Sequence, residues 1–344
     1  MIAALSYAAA REPMNDLQKS PSSQPVGSPK LGPFLLTTKR AWTQQRADIR
    51  KEWLAYLGAF PRKRASLKSE IISTEVLPKF TRQFVRYQIE NGVWTDGYLL
   101  IPQDSKTPLL QHSKMKHPAV VVFHATTPAQ ARQPAGLEIE KPELAIGVQL
   151  AERGYIALCP RNFIFGEGSD YKTHVATMQA RHPTWKGMTR MTFDAIRAAD
   201  FLESLPIVDK NRIGCVGHSL GAKEVLYAAA FDDRFKAAVF SEGGIGIHFS
   251  NWDAVWYLGD GVQEKSFPLE HHQLLALIAP RPFLLLAGES ADNDKSWPFV
   301  ETVMPVYKLL GSPNNVGWLN HREGHRYSPA ARATAESFLN WHLK

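Results

Sequence analysis

The sequence predicts an α/β protein built on a doubly wound, mostly parallel sheet. From His117 onward, short apolar runs alternate with stretches of helical periodicity, the pattern of parallel strands joined by crossover helices. The runs are apolar at nearly every position, as strands covered on both faces must be. Ahead of them, Phe84 to Ile89 and Val93 to Ile101 alternate about Glu90-Asn91-Gly92, which reads as a β-hairpin with an Asn-Gly turn.

The elements follow in order. Strands are expected at Ala119 to Phe123, Tyr155 to Cys159, Ile213 to Val216, Ala237 to Phe240, Pro282 to Leu286 and Val316 to Leu319. Helices are expected between and after them at Leu144 to Arg153, Met188 to Leu205, Ala222 to Phe231, Trp297 to Leu310 and Pro329 to His342. Upstream, Trp42, Ile49, Trp53 and Leu57 recur at helical spacing, and Gly58 with Pro61 ends that helix. Ser20 to Pro33 is rich in Ser, Pro and Gly and reads as a linker. The expected organisation is a flexible segment over 1–36, an N-terminal helical extension over 37–80 and a catalytic domain over 81–344.

At 344 residues and 44% hydrophobic, the chain can bury a large core. Lys and Arg number 40 against 33 Asp and Glu, but residues 1–86 hold 15 of the former and 6 of the latter, so the rest is nearly neutral. The basic surplus is a property of the N-terminal extension, and with no RNA-binding signature or zinc-ligand spacing beside it, no nucleic acid partner is expected. Cys159 and Cys215 lie in strand-like runs and are expected as free thiols. The apolar MIAALSYAAA at the start is too short for a membrane span and carries no preceding Lys or Arg, which leaves cytoplasmic and exported locations both open. Oligomeric state is not legible.

Residues 217–221 read Gly-His-Ser-Leu-Gly, directly after one expected strand and directly before a helix. A serine in that strained turn is lifted above the sheet, and glycines two residues to either side let strand and helix approach without a Cβ collision. Ser219 is therefore the candidate nucleophile. His325, in Asn-His-Arg-Glu-Gly-His after the last strand, is the candidate base. The backbone amides of Thr126, after the strand ending in Phe123, and of Leu220 are the candidate oxyanion donors. His321 lies four residues from His325, yet Gly324 opposes the helix a zinc pair would need, so no metal and no cofactor are expected and His321 is read as a loop residue. His271-His272 read as a solvated pair.

Three carboxylates could orient His325. Asp292, after the strand ending in Leu286, is the first choice. Glu242, at the end of the preceding strand, and Asp294 are the alternatives, although Asp294 also suits the N-terminus of a helix capped by Ser296.

With these residues placed, 80–344 resembles the α/β-hydrolase esterases near the acetyl xylan esterase, dienelactone hydrolase and glucuronoyl esterase groups. The resemblance rests on 199–214 (ADFLESLPIVDKNRIG), Gly-His-Ser-Leu-Gly-Ala-Lys (217–223) and Ala-Pro-Arg-Pro (279–282). It implies a serine hydrolase acting on a carboxylic ester, for which a small-molecule or carbohydrate ester would be the partner. Glucuronoyl esterases are similar in the Lys four residues after the nucleophile, here Lys223, and in an acid at the position of Glu242. They differ in carrying Arg where this chain has Leu220, and dienelactone hydrolases carry Cys in place of Ser219. A prolyl-oligopeptidase-type peptidase would need an N-terminal propeller that about 80 residues cannot build, and a pure binding protein would need neither Ser219 nor His325. Substrate contacts are expected from the loops Pro128 to Pro142, Phe163 to Trp185 and Gly243 to Pro268, with Trp185, Trp252, Trp256 and Tyr257 as stacking candidates.

Overall fold

A computed structural model describes residues 16–22, 27–61, 63–103, 116–166 and 170–344. The apolar start of the chain lies outside the described residues. A nine-stranded sheet has the order β1-β2-β3-β5-β4-β6-β7-β8-β9. Its antiparallel end is β1 (Ser69–Val76), β2 (Phe80–Glu90) and β3 (Val93–Pro102), with β3 antiparallel to β5 (Ile156–Pro160). From β5 the sheet is parallel through β4 (His117–Phe123), β6 (Val208–His218), β7 (Phe235–Ser241), β8 (Phe283–Ala287) and β9 (Val316–Asn320). This is the mostly parallel sheet that the alternation of runs predicts, arranged as in the α/β-hydrolase fold that the resemblance implies.

Two helix layers cover the sheet. One holds α1 (Lys39–Leu57), α4 (Gly187–Ser204), α5 (Leu220–Phe231), α6 (His271–Ile278) and α7 (Trp297–Leu309), whose apolar residues join one core cluster. The other holds α2 (Ile146–Ala151) and α8 (Pro329–Leu343), packed on the alternate residues of the same strands. An eleven-residue helix, α3 (Tyr171–Arg181), contributes only Val175 and Met178 to the first of these clusters. So little apolar periodicity explains why that stretch reads as loop from sequence.

Three expectations need correction. The 37–80 extension is not all helical, because β1 follows α1 and adds an edge strand. All eight residues of β1 are exposed, so no alternation marks it. The 1–36 segment is docked where it is described. Leu17 accepts the Trp318 amide at 2.7 Å and is itself buried, and Trp318 Nε1 donates to the Lys19 carbonyl at 2.8 Å, covering the β9 edge. His271 and His272 are buried, not solvated. His271 lies between Tyr227 OH (2.8 Å) and the Ile245 carbonyl (2.8 Å) and stacks on Trp53, and burial pushes its pKa down to about 3.

Cys159 on β5 and Cys215 on β6 are free and buried, with β4 between their strands. Two strand spacings are roughly 9.5 Å, beyond disulfide reach. Burial also pushes both thiols well above their ordinary range. A thiol reagent should leave the native protein unmodified and label both residues after denaturation. Rapid labelling of the native protein, or a linked peptide pair in the mass spectrum, would contradict this placement.

Candidate active site

The nucleophile candidate owes its position to the backbone. Strand β6 ends at His218 and α5 begins at Leu220, so Ser219 alone makes the turn, at φ 58° and ψ −117°. Such a conformation costs a non-glycine residue on the order of 1–3 kcal/mol. The flanking glycines make it attainable, since a Cβ on Gly217 would stand 2.3 Å from the Gly221 carbonyl carbon, and one on Gly221 would stand 2.2 Å from the Phe123 oxygen. The Ser219 amide donates to the Ser241 carbonyl at 2.8 Å, tying the turn to β7.

His325 reaches Ser219 from the loop between β9 and α8. Its Nε2 lies 2.9 Å from Ser219 Oγ and its Nδ1 lies 2.9 Å from Glu242 Oε2. A carboxylate only accepts, so Nδ1 carries the proton and the bare Nε2 accepts from the serine hydroxyl. That arrangement can take the serine proton during attack on a carbonyl.

The carboxylate facing His325 is therefore Glu242, not Asp292. Glu242 directly follows β7 at φ 54°, with its side chain fully buried. Its carboxylate accepts the amides of Gly288, Ala291 (3.0 Å) and Asp292 (3.3 Å) from the loop after β8. Asp292 points the other way, accepting from the amides of Gly244 (2.7 Å) and Ile245 (2.8 Å) and from Ser296 Oγ (2.8 Å). Burial pushes its pKa up to about 6 against those hydrogen bonds, and the neighbouring Glu242 charge adds to the rise. Glu242 follows β7, which adjoins β6, the strand that leads into Ser219, whereas Asp292 follows β8, one strand further away. Asp294 lies on the surface, paired with Arg322 and Asn320. Ser296 does not cap α7, since its hydroxyl is given to Asp292 and its own backbone is already helical.

Leu220 supplies the first amide of α5, beside Ser219, and Thr126 lines the same cleft. The turn that presents Thr126 is fixed from below. Nδ1–H of the buried His124 donates to the Ala125 carbonyl at 2.7 Å, its Nε2 accepts the Asn162 amide at 3.1 Å, and Gln133 accepts the Ala125 amide at 3.3 Å. Burial pushes the His124 pKa down to about 4, so the ring stays neutral and keeps both contacts.

The cleft encloses about 490 Å³ and is lined mainly by polar side chains, among them Thr126, Lys223, Ser250, Asn251, Tyr257 and Ser290, with Phe249 as its one large aliphatic or phenyl contact. Lys223 is buried. Its Nζ lies 3.9 Å from the centre of the Trp252 ring and 5.0 Å from that of Tyr257, with no hydrogen-bond partner among the described residues. Desolvation pulls its pKa down to about 7, opposed in part by Asp292 and Asp253. Trp252 thus lies beneath Lys223 as a platform, anchored by Nε1 on the Gly244 carbonyl at 2.7 Å.

The other two tryptophans are not at the cleft. Trp185 packs against His182 and donates to the Ala59 carbonyl, holding the end of α1, and Trp256 packs edge-on against Tyr171. A large aromatic in a loop satisfies the same burial wherever it lands, which is why sequence does not separate these from Tyr257. Phe249, Ser250 and Asn251 lie within the expected Gly243 to Pro268 loop but carry no motif that would single them out, and Ser290 carries none either.

A profile of the Dienelactone hydrolase family matches residues 106–255, less than half of the chain. The carbohydrate esterase MZ0003, from an unknown prokaryotic organism, is 24% identical over 180 residues, covering 46% of this chain and 40% of that protein. The 4-O-methyl-glucuronoyl methylesterase 1 of Wolfiporia cocos is 28% identical over 185 residues, covering 42% of this chain and 43% of that one. The chain therefore spans under half the length of these two relatives. The glucuronoyl esterase from Solibacter usitatus superposes with a TM-score of 0.71 at 17% identity, covering 91% of this chain and 99% of that chain, a likeness of fold. By its sheet order and its strand-turn-helix at Ser219 the chain has the α/β-hydrolase fold, and over part of its length it is similar to the Dienelactone hydrolase family and to glucuronoyl esterases.

Proposed function

We propose that this chain is a serine esterase that cleaves a carboxylic ester on a carbohydrate through an acyl-enzyme, with Ser219 as nucleophile, His325 as base and Glu242 as the acid that orients it. The observation that carries the reading is the continuous chain of two 2.9 Å contacts from Ser219 Oγ through His325 to Glu242. Attack by Ser219 on the ester carbonyl passes its proton to His325 Nε2, and Glu242 stabilises the resulting imidazolium. The amides of Thr126 and Leu220 receive the developing oxyanion, a role in which one donor is worth about 2.7–4 kcal/mol. His325 then protonates the leaving alcohol, and a water activated by the same ring releases the acid.

The carbohydrate part of the proposal draws on the polar cleft lining, which offers hydroxyl and amide partners rather than an acyl-chain tunnel. The similarity to a carbohydrate esterase and to a 4-O-methyl-glucuronoyl methylesterase supports the same reading. A second reading, an ester of a sugar acid, is favoured by Glu242 as the partner of His325 and by Lys223 at the cleft floor. Leu220, where glucuronoyl esterases carry Arg, counts against it.

Purified protein assayed on acetylated xylan, methyl glucuronate esters and short p-nitrophenyl esters should turn over at least one of them, and Ser219→Ala should abolish that turnover. Preference for the glucuronate esters selects the second reading; no ester turnover in the wild type contradicts both. Glu242→Gln should keep the melting temperature and lose roughly four orders of magnitude in kcat, the loss expected when the imidazole can adopt the wrong tautomer. Near-wild-type kcat in that variant would remove Glu242 from the triad.

A further inference from the structure

We propose that Asp292 is a positioning residue for the esterase reaction, holding the Gly244-Ile245 turn that keeps Glu242 against His325. The inference rests on the esterase reading above. Glu242 has φ 54°, a left-handed conformation that a non-glycine residue keeps only where its surroundings over-determine it. Those surroundings are two loops that exchange carboxylates. The loop after β7 gives Glu242 to the amides of Gly288, Ala291 and Asp292, and the loop after β8 returns Asp292 to the amides of Gly244 and Ile245. The two captured amides lie two and three residues past Glu242, on the far side of the turn.

The same turn is held at its carbonyls. Trp252 Nε1 donates to the Gly244 oxygen, and His271 Nδ1–H donates to the Ile245 oxygen. Asp292 is the one side chain that takes both amides, and Ser296 Oγ steadies it. An asparagine at 292 offers one carbonyl oxygen to these donors and turns an NH₂ group toward another N–H. The turn then relaxes, and the Glu242 carboxylate drifts from Nδ1. Misplacement of a catalytic group by about 1 Å can cost on the order of 10²-fold in rate.

The test compares wild type, Asp292→Asn and Ser296→Ala in kcat, KM, the pH profile of kcat/KM, and the pKa of the His325 ring followed by NMR. Asp292→Asn should lose roughly 10²-fold in kcat with KM unchanged. Its acidic limb and its His325 pKa should both move to lower pH, because the imidazolium loses part of the Glu242 charge. Ser296→Ala should move them the same way by less, and it carries the test if Asp292→Asn does not fold. A lower melting temperature with unchanged kcat and unchanged His325 pKa would reduce Asp292 to a structural residue and overturn the proposal. So would a loss larger than that of Glu242→Gln, which would make Asp292 the acid itself. The NMR titration needs no substrate, so an inactive wild type would sink the esterase reading while the displacement of Glu242 is still measured.

Discussion

The lack of room for a Cβ at Gly217 and Gly221 is the constraint from which the site follows. Closing that gap brings the first turn of α5 against the end of β4, so the Leu220 amide and the Thr126 turn lie on either side of one space above Ser219. It also forces Ser219 into a strained φ, and the strain is held by the Ser219 amide on β7 and by α5, which is buried along its whole length. A strained residue on a rigid platform stays where chemistry needs it without reorganising at the moment of reaction.

The charged groups around that platform divide by what reaches them. Glu242 is surrounded by amides and faces an imidazole, so its buried charge is satisfied at both oxygens. Lys223 is buried against aromatic faces with no hydrogen-bond partner among the described residues, so its ammonium is poorly solvated and has unfilled donor capacity toward the cleft. A ligand hydroxyl or carboxylate is the kind of group that would satisfy it. Burial keeps His124, His218 and His271 neutral, and in this site they work as fixed donors and acceptors.

Much of this was legible in the chain itself, for physical reasons that also mark the boundary. Parallel strands covered on both faces must be continuous apolar runs, so β4 through β9 stand out. The turn at Ser219 demands small residues at fixed offsets, so it stands out too. Glu242 and Asp292 differ only in which strand lies beside β6 and in one backbone angle, neither of which local sequence encodes. Exposed β1 and weakly amphipathic α3 carry no periodicity. His271 looks like a surface residue until Tyr227 and the Ile245 carbonyl are seen to satisfy both its nitrogens.

If Ser219 is the nucleophile, the acyl group must pass through its Oγ. The direct measurement is rapid-quench mass spectrometry of the enzyme mixed with a short p-nitrophenyl ester. A p-nitrophenolate burst equal in amount to the enzyme is expected, with the acyl mass on the peptide that contains Ser219. A linear release without a burst, together with no acylated peptide even when deacylation is slowed at low pH, would contradict it.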